Sequence, residues 1–164
     1  MLRSIALVVL CATSFSLAAC SSDSGGESGG ESGGGTKTYE AAIAEYNEAK
    51  KSLTLPDGVG DEGWGRTLAA ESDGGSVSYQ DGAATRILQE GWACSWKKEW
   101  LAARGVDADR EKAALEQLAK FPAMFAYTDA YDDESRKVFD EEVAAAKLGD
   151  PAAMQSDVDL NCAG

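Results

Sequence analysis

Apolar side chains recur at steps of three and four residues along most of the chain after the first 37 positions. In the first such stretch, Tyr39, Ile43 and Tyr46 share one helical face, and glutamate and lysine side chains lie off that face. This spacing is typical of an amphipathic helix with one buried side. The pattern therefore predicts a helix over residues 38–53, which a Pro-Asp-Gly sequence then ends.

The second predicted helix, over residues 81–104, is apolar on most of its sides. Asp81 is a favourable N-cap, and Gly105 follows the last turn as a typical helix stop. Only a narrow stripe of this helix, which includes Lys97, is polar. A helix with so little polar surface belongs at the centre of a domain, so we expect the other helices to pack around it.

The remaining segments also have helical spacing. Periodic apolar positions, with aspartate or proline at their starts, predict helices over 107–121, 133–149 and 151–162, and a short helix or turn over 124–131. Residues 54–80 are rich in glycine and predict a long surface loop with at most a helical turn near 67–71. Alternation at period two is too brief to predict a strand. The sequence therefore predicts a single all-α domain of five or six helices over residues 38–164.

The chain before the helical region has a different character. Four residues, Leu-Ala-Ala-Cys, end at Cys20 and resemble the lipobox of bacterial lipoproteins, with Arg3 and a short apolar stretch before them. The resemblance implies that residues 1–19 are a signal peptide that is removed and that Cys20 is then acylated. Residues 20–37 have the Gly, Ser and Glu composition of a flexible tether. An ordinary secretory signal cut near Ala18 and an uncleaved anchor are the alternatives. We expect a protein held by lipid at the extracellular face of the cell membrane.

The charge of the chain excludes one class of partner. The formal net charge is −13, from 28 acidic and 15 basic residues. Nucleic acid and anionic lipid headgroups repel a chain of this charge. We therefore expect no nucleic-acid partner, and membrane contact only through the lipid anchor. Solubility on a crowded surface is sufficient to explain the acidity.

Two cysteines remain for the helical domain. Cys11 lies in the predicted signal and Cys20 is the predicted lipid site, which leaves Cys94 and Cys162. Exported chains meet an oxidising environment, and two thiols allow one pairing. We therefore expect a Cys94–Cys162 disulfide. Two buried free thiols and a metal-binding pair are the alternatives.

A longer signature covers roughly residues 80–164. Trp92, Cys94 and Trp96 alternate with other residues in the central helix, and a Leu-Gly-Asp-Pro-x-x-Met sequence and a late cysteine follow. This order resembles a group of uncharacterised exported proteins and lipoproteins of actinobacteria. The resemblance implies a shared fold and compartment and supports the disulfide, and it implies no biochemical activity.

Three short motifs suggest catalysis or metal binding, and each lacks its necessary context. The Gly-x-Gly-x-x-Gly over 58–63 follows a predicted helix and contains two acids, which oppose a pyrophosphate. Ser95 and Lys98 match a Ser-x-x-Lys motif in a domain too short for penicillin-binding proteins. The calcium-like spacing at 157–161 lacks the required glycine and glutamate. The chain also has no histidine. We therefore expect no enzyme, no cofactor and no metal.

The most suggestive constellation is a row of three indoles on the central helix. Trp92, Trp96 and Trp100 follow one another at four-residue steps. Such a row either stacks on a sugar or an apolar partner surface, or packs as ordinary core, and core packing is the favoured interpretation. We expect a non-catalytic module that binds an envelope protein or glycan. A carboxylate-dependent envelope hydrolase and a purely structural surface protein are the alternatives.

Overall fold

The computed structural model describes residues 35–61, 63–71 and 77–162. Predicted signal residues 1–19 and the predicted lipid site Cys20 lie outside these ranges. The described elements, in chain order, are β1 (Thr36–Lys37), α1 (Tyr39–Lys50), α2 (Trp64–Glu71), β2 (Tyr79–Gln80), α3 (Ala83–Ala103), α4 (Ala108–Leu118), a 3₁₀ turn (Phe121–Ala123), a π turn (Ala126–Ala130), α5 (Asp133–Lys147) and α6 (Ala152–Asn161). The predicted all-α fold is confirmed. Within the described ranges, no helix has the length and apolar composition needed to cross a membrane.

Three helices begin with the side-chain caps that their sequences favour. The Thr38 hydroxyl accepts from the backbone of α1, and the Asp107 and Asp132 carboxylates accept from the first turns of α4 and α5. These bonds satisfy amide groups that a helix start leaves without partners. Local sequence therefore determines where α1, α4 and α5 begin.

The start of α3 differs from its prediction. Asp81 is not the cap; Gly82 precedes the helix at φ 81°, and it makes no side-chain cap bond. A Cβ at Gly82 would lie 2.1 Å from the Phe125 ring, so both the positive φ and the close approach require glycine. The Glu45 carboxylate, from α1, accepts from the Thr85 amide at 2.9 Å. A glutamate distant in sequence therefore caps the central helix.

The core lies on both sides of α3. One cluster contains the three α3 tryptophans together with residues of α4, α5 and α6, including Leu118, Phe139 and Met154. The other cluster joins α3 to α1 and α2 through buried side chains such as Tyr46 and Leu68. The predicted central position of this helix is confirmed.

Two features of the predicted tether and loop need correction. Thr36 and Lys37 belong to a two-residue strand that pairs antiparallel with Tyr79 and Gln80. Lys37 Nζ also lies 2.6 Å from Glu45, so the folded part begins before residue 38. A two-residue pairing is too short to leave a period-two pattern in the sequence. The predicted loop over 54–80 likewise contains α2, which is longer than a single turn.

The predicted disulfide is present. It joins Cys94, in the middle of α3, to Cys162, directly after α6, across 68 positions of sequence. Lys98 Nζ, one turn further along α3, donates to the Cys162 carbonyl. The end of the last helix is therefore fixed covalently to the central one.

Candidate functional site

The structure places the indole row in the core. Trp92, Trp96 and Trp100 are 1%, 7% and 0% exposed, and the Trp92 and Trp96 indoles both donate to the Thr54 carbonyl. The row therefore offers no exposed binding face, and the core interpretation holds. The tryptophans are buried because the apolar face of α3 is broad, and α4 and the chain after α1 cover its tryptophan side.

A cavity of about 540 Å³ lies between α3, α5 and α6, and we call it the acidic pocket. Its uncharged lining includes Ala93, Val138 and Phe139, with Tyr131 from the end of the π turn. Four carboxylates and two cations also line it: Glu90, Glu134, Glu142, Asp157, Arg86 and Lys97. The charged side chains of the lining therefore carry a net negative formal charge, and they lie beside an apolar wall.

Lys97 connects the two deepest acids of the acidic pocket. Its Nζ lies 2.8 Å from Glu142 Oε2 and 2.7 Å from Asp157 Oδ2. Lys97 and Glu142 are 6% and 2% exposed. The ammonium also lies 5.2 Å from the centre of the Phe139 ring, a distance at which the ring attracts a cation. One buried cation is thus shared by two carboxylates.

One of the four carboxylate oxygens in this group lacks a donor. Both Oε2 of Glu142 and Oδ2 of Asp157 accept from Lys97, and Asp157 Oδ1 accepts from Asn161 Nδ2 at 2.8 Å. Glu142 Oε1 is buried and has no hydrogen-bond partner in the described part of the chain. Burial raises the pKa of Glu142 above its ordinary value, and the Lys97 ammonium opposes this rise. A buried oxygen in this position costs stability unless a donor reaches it.

The rim of the acidic pocket has the same electrostatic character. Burial also raises the pKa of Glu90, against a smaller opposing effect of Arg86, whose guanidinium lies 3.7 Å away. Burial is the main cause that raises the pKa of Tyr131 to about 12, and the negative charges of Glu90, Asp157 and Glu142 add to it. A negative potential stabilises the protonated form of each group, and it favours a cation over an anion in the pocket.

A second cavity, of about 650 Å³, lies between residues 59–66 and α3, and we call it the disulfide groove because Cys94 and Cys162 line it. Trp64 forms part of its wall and packs against Gly91, where an added Cβ would lie 2.5 Å from the indole. Its larger volume does not make it the stronger site. The polar side chains beside the disulfide are occupied by bonds within the protein.

The Ser-x-x-Lys motif lies in this groove and has a structural role. Ser95 Oγ donates to the Trp92 carbonyl at 2.7 Å, and Lys98 Nζ donates to the Cys162 carbonyl at 2.5 Å. The serine and the lysine are thus bonded to backbone oxygens and not to each other. This arrangement does not activate a nucleophile.

The acidic pocket was not predicted from the sequence. Acidic residues in a helix normally lie on its solvent-exposed face, yet Glu142 of α5 is buried. One signal could have found it: Glu142 follows the inward-facing Phe139 by three residues, which places both on one helical face. Lys97, which the sequence places on the polar stripe of α3, is also buried, because Glu142 and Asp157 of α5 and α6 pair with it there. In the described part of the chain, no group of three potential ligands is arranged to hold a metal ion.

Comparison with known proteins adds no relative. No protein-family model matches the chain, and no curated protein sequence and no solved structure gives a significant match to it.

Proposed function

We propose that this protein is a non-catalytic binding module, anchored by acylated Cys20 at the extracellular face of the cell membrane, and that the acidic pocket is its binding site. The anchoring part rests on the lipobox-like sequence and on the Gly, Ser and Glu composition after it. The binding part rests on the acidic pocket.

One observation carries the choice of this site: buried Lys97 and Glu142, with half-buried Asp157, line a cavity beside apolar walls. Binding pockets typically combine an apolar lining with a few convergent polar groups, and their volumes are roughly 300–1,000 Å³. Perturbed pKa values of Glu90, Glu142 and Tyr131 occur around the same cavity, as is common at functional sites. In the disulfide groove, the Ser95 and Lys98 side chains are already bonded to the protein's own backbone.

A carboxylate-dependent hydrolase is the second candidate, because Glu142 has a raised pKa and lies close to Asp157. Glycoside hydrolysis places the scissile bond between two such carboxyl groups. Here the Lys97 ammonium occupies the space between the nearest oxygens of the two acids, at 2.8 and 2.7 Å. The geometry therefore supports binding better than hydrolysis. A purely structural role is the third candidate, and it would leave Glu142 Oε1, like Trp100 Nε1 in the core, buried without a partner in the described part of the chain.

Blocking the acidic pocket tests the binding site. Ser135 lines the pocket and is exposed. Its backbone amide donates to the Asp132 cap, and a substitution of the side chain keeps that amide. Ser135→Trp should therefore fill the cavity and leave the fold intact. Ser156, exposed on α6 and outside the pocket lining, gives the matched control Ser156→Trp. In crosslinking on intact cells, we expect Ser135→Trp to lose the crosslinked species that wild type and Ser156→Trp retain. Equal crosslinking by both variants would reject the acidic pocket as the binding site.

Replacing the predicted lipid site tests anchoring. Without the Cys20 thiol no acyl chain can be attached, and stable membrane residence requires such chains. We expect Cys20→Ala to appear in the medium or as unprocessed precursor, without incorporated fatty acid. Cys11→Ala, a change within the predicted signal, is the control and should be labelled and anchored as wild type. Fatty acid retained on Cys20→Ala would contradict the proposal.

A further inference from the structure

We propose that the group recognised by the acidic pocket is an alkyl ammonium, that is, a primary amine in its protonated form carried on a short aliphatic chain. This inference rests on the proposed function, because it names the chemistry of the ligand at the same site. Three properties of the pocket lead to it: its charge, its unpartnered oxygen and its apolar wall.

The formal charge of the Lys97, Glu142 and Asp157 group is unbalanced. Lys97 provides one positive charge between the two carboxylates of Glu142 and Asp157. Arg86 and Glu90 lie together at the rim, so their charges offset each other there and leave the inner imbalance in place. Buried charges in proteins are paired or bound to a counter-ion, because an isolated one is costly. A ligand with one positive charge would restore the balance.

The missing hydrogen bond specifies the kind of cation. Glu142 lines the pocket, its side chain is 2% exposed, and Oε1 is the carboxylate oxygen of this group without a partner among the described residues. That oxygen needs a donor, which a quaternary ammonium does not have. A primary ammonium has three N–H donors and a full charge. A metal ion would need more converging ligands than the described residues supply.

The wall of the pocket specifies the rest of the ligand. Ala93, Val138 and Phe139 present apolar surface beside the acids, and the Phe139 ring already lies 5.2 Å from one ammonium, that of Lys97. Short methylene chains gain free energy on such a surface. The cavity volume of about 540 Å³ accommodates a small amine or the end of a lysine side chain.

The test uses the disulfide-bonded chain from Cys20 onward in calorimetric titrations with four probes of similar size. These are n-butylammonium, tetramethylammonium (charge without a donor), n-butanol (a donor without charge) and butyrate (the opposite charge). We expect saturable binding of n-butylammonium, at least about tenfold weaker binding of tetramethylammonium and n-butanol, and no binding of butyrate. Equal affinity for tetramethylammonium, or no saturable binding of n-butylammonium, would overturn the inference.

Two variants assign the binding to the unpartnered oxygen. Glu142→Gln keeps the shape and removes the charge, and we expect it to weaken n-butylammonium binding by about tenfold or more. Glu141→Gln removes the same charge from the neighbouring exposed position and should bind as wild type. If Glu142→Gln does not fold by circular dichroism, Ser135→Trp takes its place, since it should also abolish amine binding. Unchanged binding in the folded pocket variant would overturn the inference.

Two further results separate the sources of the amine and the two proposals. A capped peptide with a single lysine that binds more tightly than n-butylammonium assigns the ammonium to a protein partner, and weaker binding assigns it to a small amine; both outcomes support the inference. If Ser135→Trp abolishes crosslinking on cells but no amine binds to the wild type, the proposed function stands and the inference of an alkyl ammonium ligand is wrong. If Ser135→Trp leaves both crosslinking and amine binding unchanged, both proposals fail.

Discussion

The acidic pocket and the disulfide groove lie against the same helix and share lining residues, yet they differ in how their polar groups are satisfied. In the disulfide groove, Ser95 and Lys98 donate to backbone carbonyls. In the acidic pocket, a buried ammonium is shared by two acids and one carboxylate oxygen has no donor in the described structure. The groove is the larger cavity, but the buried carboxylate oxygen without a donor among the described residues lies in the pocket. This buried oxygen, and not the cavity volume, is therefore what distinguishes the pocket from the groove.

The largest expected difference between the two cavities comes from their lysines. Lys97→Met should leave Glu142 as a buried charge, and Asp157 as a half-buried one, without their shared cation, at a cost of about 3–5 kcal/mol of unfolding free energy. Lys98→Met, one position along α3, removes one hydrogen bond from an exposed side chain and should cost about 1 kcal/mol or less. Urea denaturation of the two variants measures both. Similar losses of unfolding free energy in the two variants would show that the Lys97 ion pairs do not stabilise the fold more than the single Lys98 hydrogen bond does.

A smaller effect should be confined to the groove. A Cβ at Gly91 would lie 2.5 Å from the Trp64 indole, so Gly91→Ala should displace that ring and cost about 1–3 kcal/mol. Gly65 lies in α2, and a Cβ added there would meet no atom within 4 Å, so Gly65→Ala is the control and should be neutral or slightly stabilising. Thermal unfolding of the two variants measures both changes in stability. Amine binding should survive Gly91→Ala; its loss would mean that the two cavities are not independent.

The smallest effect is a dependence of stability on pH. Burial raises the folded pKa of Glu142 above 4.5, so the folded protein holds this proton more tightly than the unfolded chain does. By linkage, Glu142 favours the folded state most at low pH, and this contribution falls as the pH rises from 4.5 through the raised pKa. The side chain in Glu142→Gln does not titrate, so the variant does not lose this contribution to stability as the pH rises. The difference in unfolding free energy, variant minus wild type, should therefore increase over that window and then level off, as denaturation at a series of pH values would measure. A flat difference would contradict the burial of a titrating Glu142.

Much of the fold could be predicted because helical periodicity and capping are local. The pattern of α1 and α3, the caps Asp107 and Asp132, and the Cys94–Cys162 pair are visible within short stretches or by elimination. The pocket could not be predicted in this way. Lys97 meets Glu142 across 45 positions and Asp157 across 60, and a charged residue in a helix is normally assigned to the wet face. The same limit explains the capping of α3 by Glu45, which is 40 positions before Thr85.

The pairing of Lys37 has a mechanical consequence. A pull along the chain from its amino-terminal side reaches β1 first, where Lys37 binds Glu45 at 2.6 Å and Asp81 at 3.2 Å. Because the Glu45 carboxylate also caps α3, tension at this point is divided between α1 and the start of α3. The other end of the described chain is fixed to the middle of α3 by the disulfide. Load applied at β1 would therefore strain the contacts around Glu45 before it deformed α5 and α6, which line the acidic pocket.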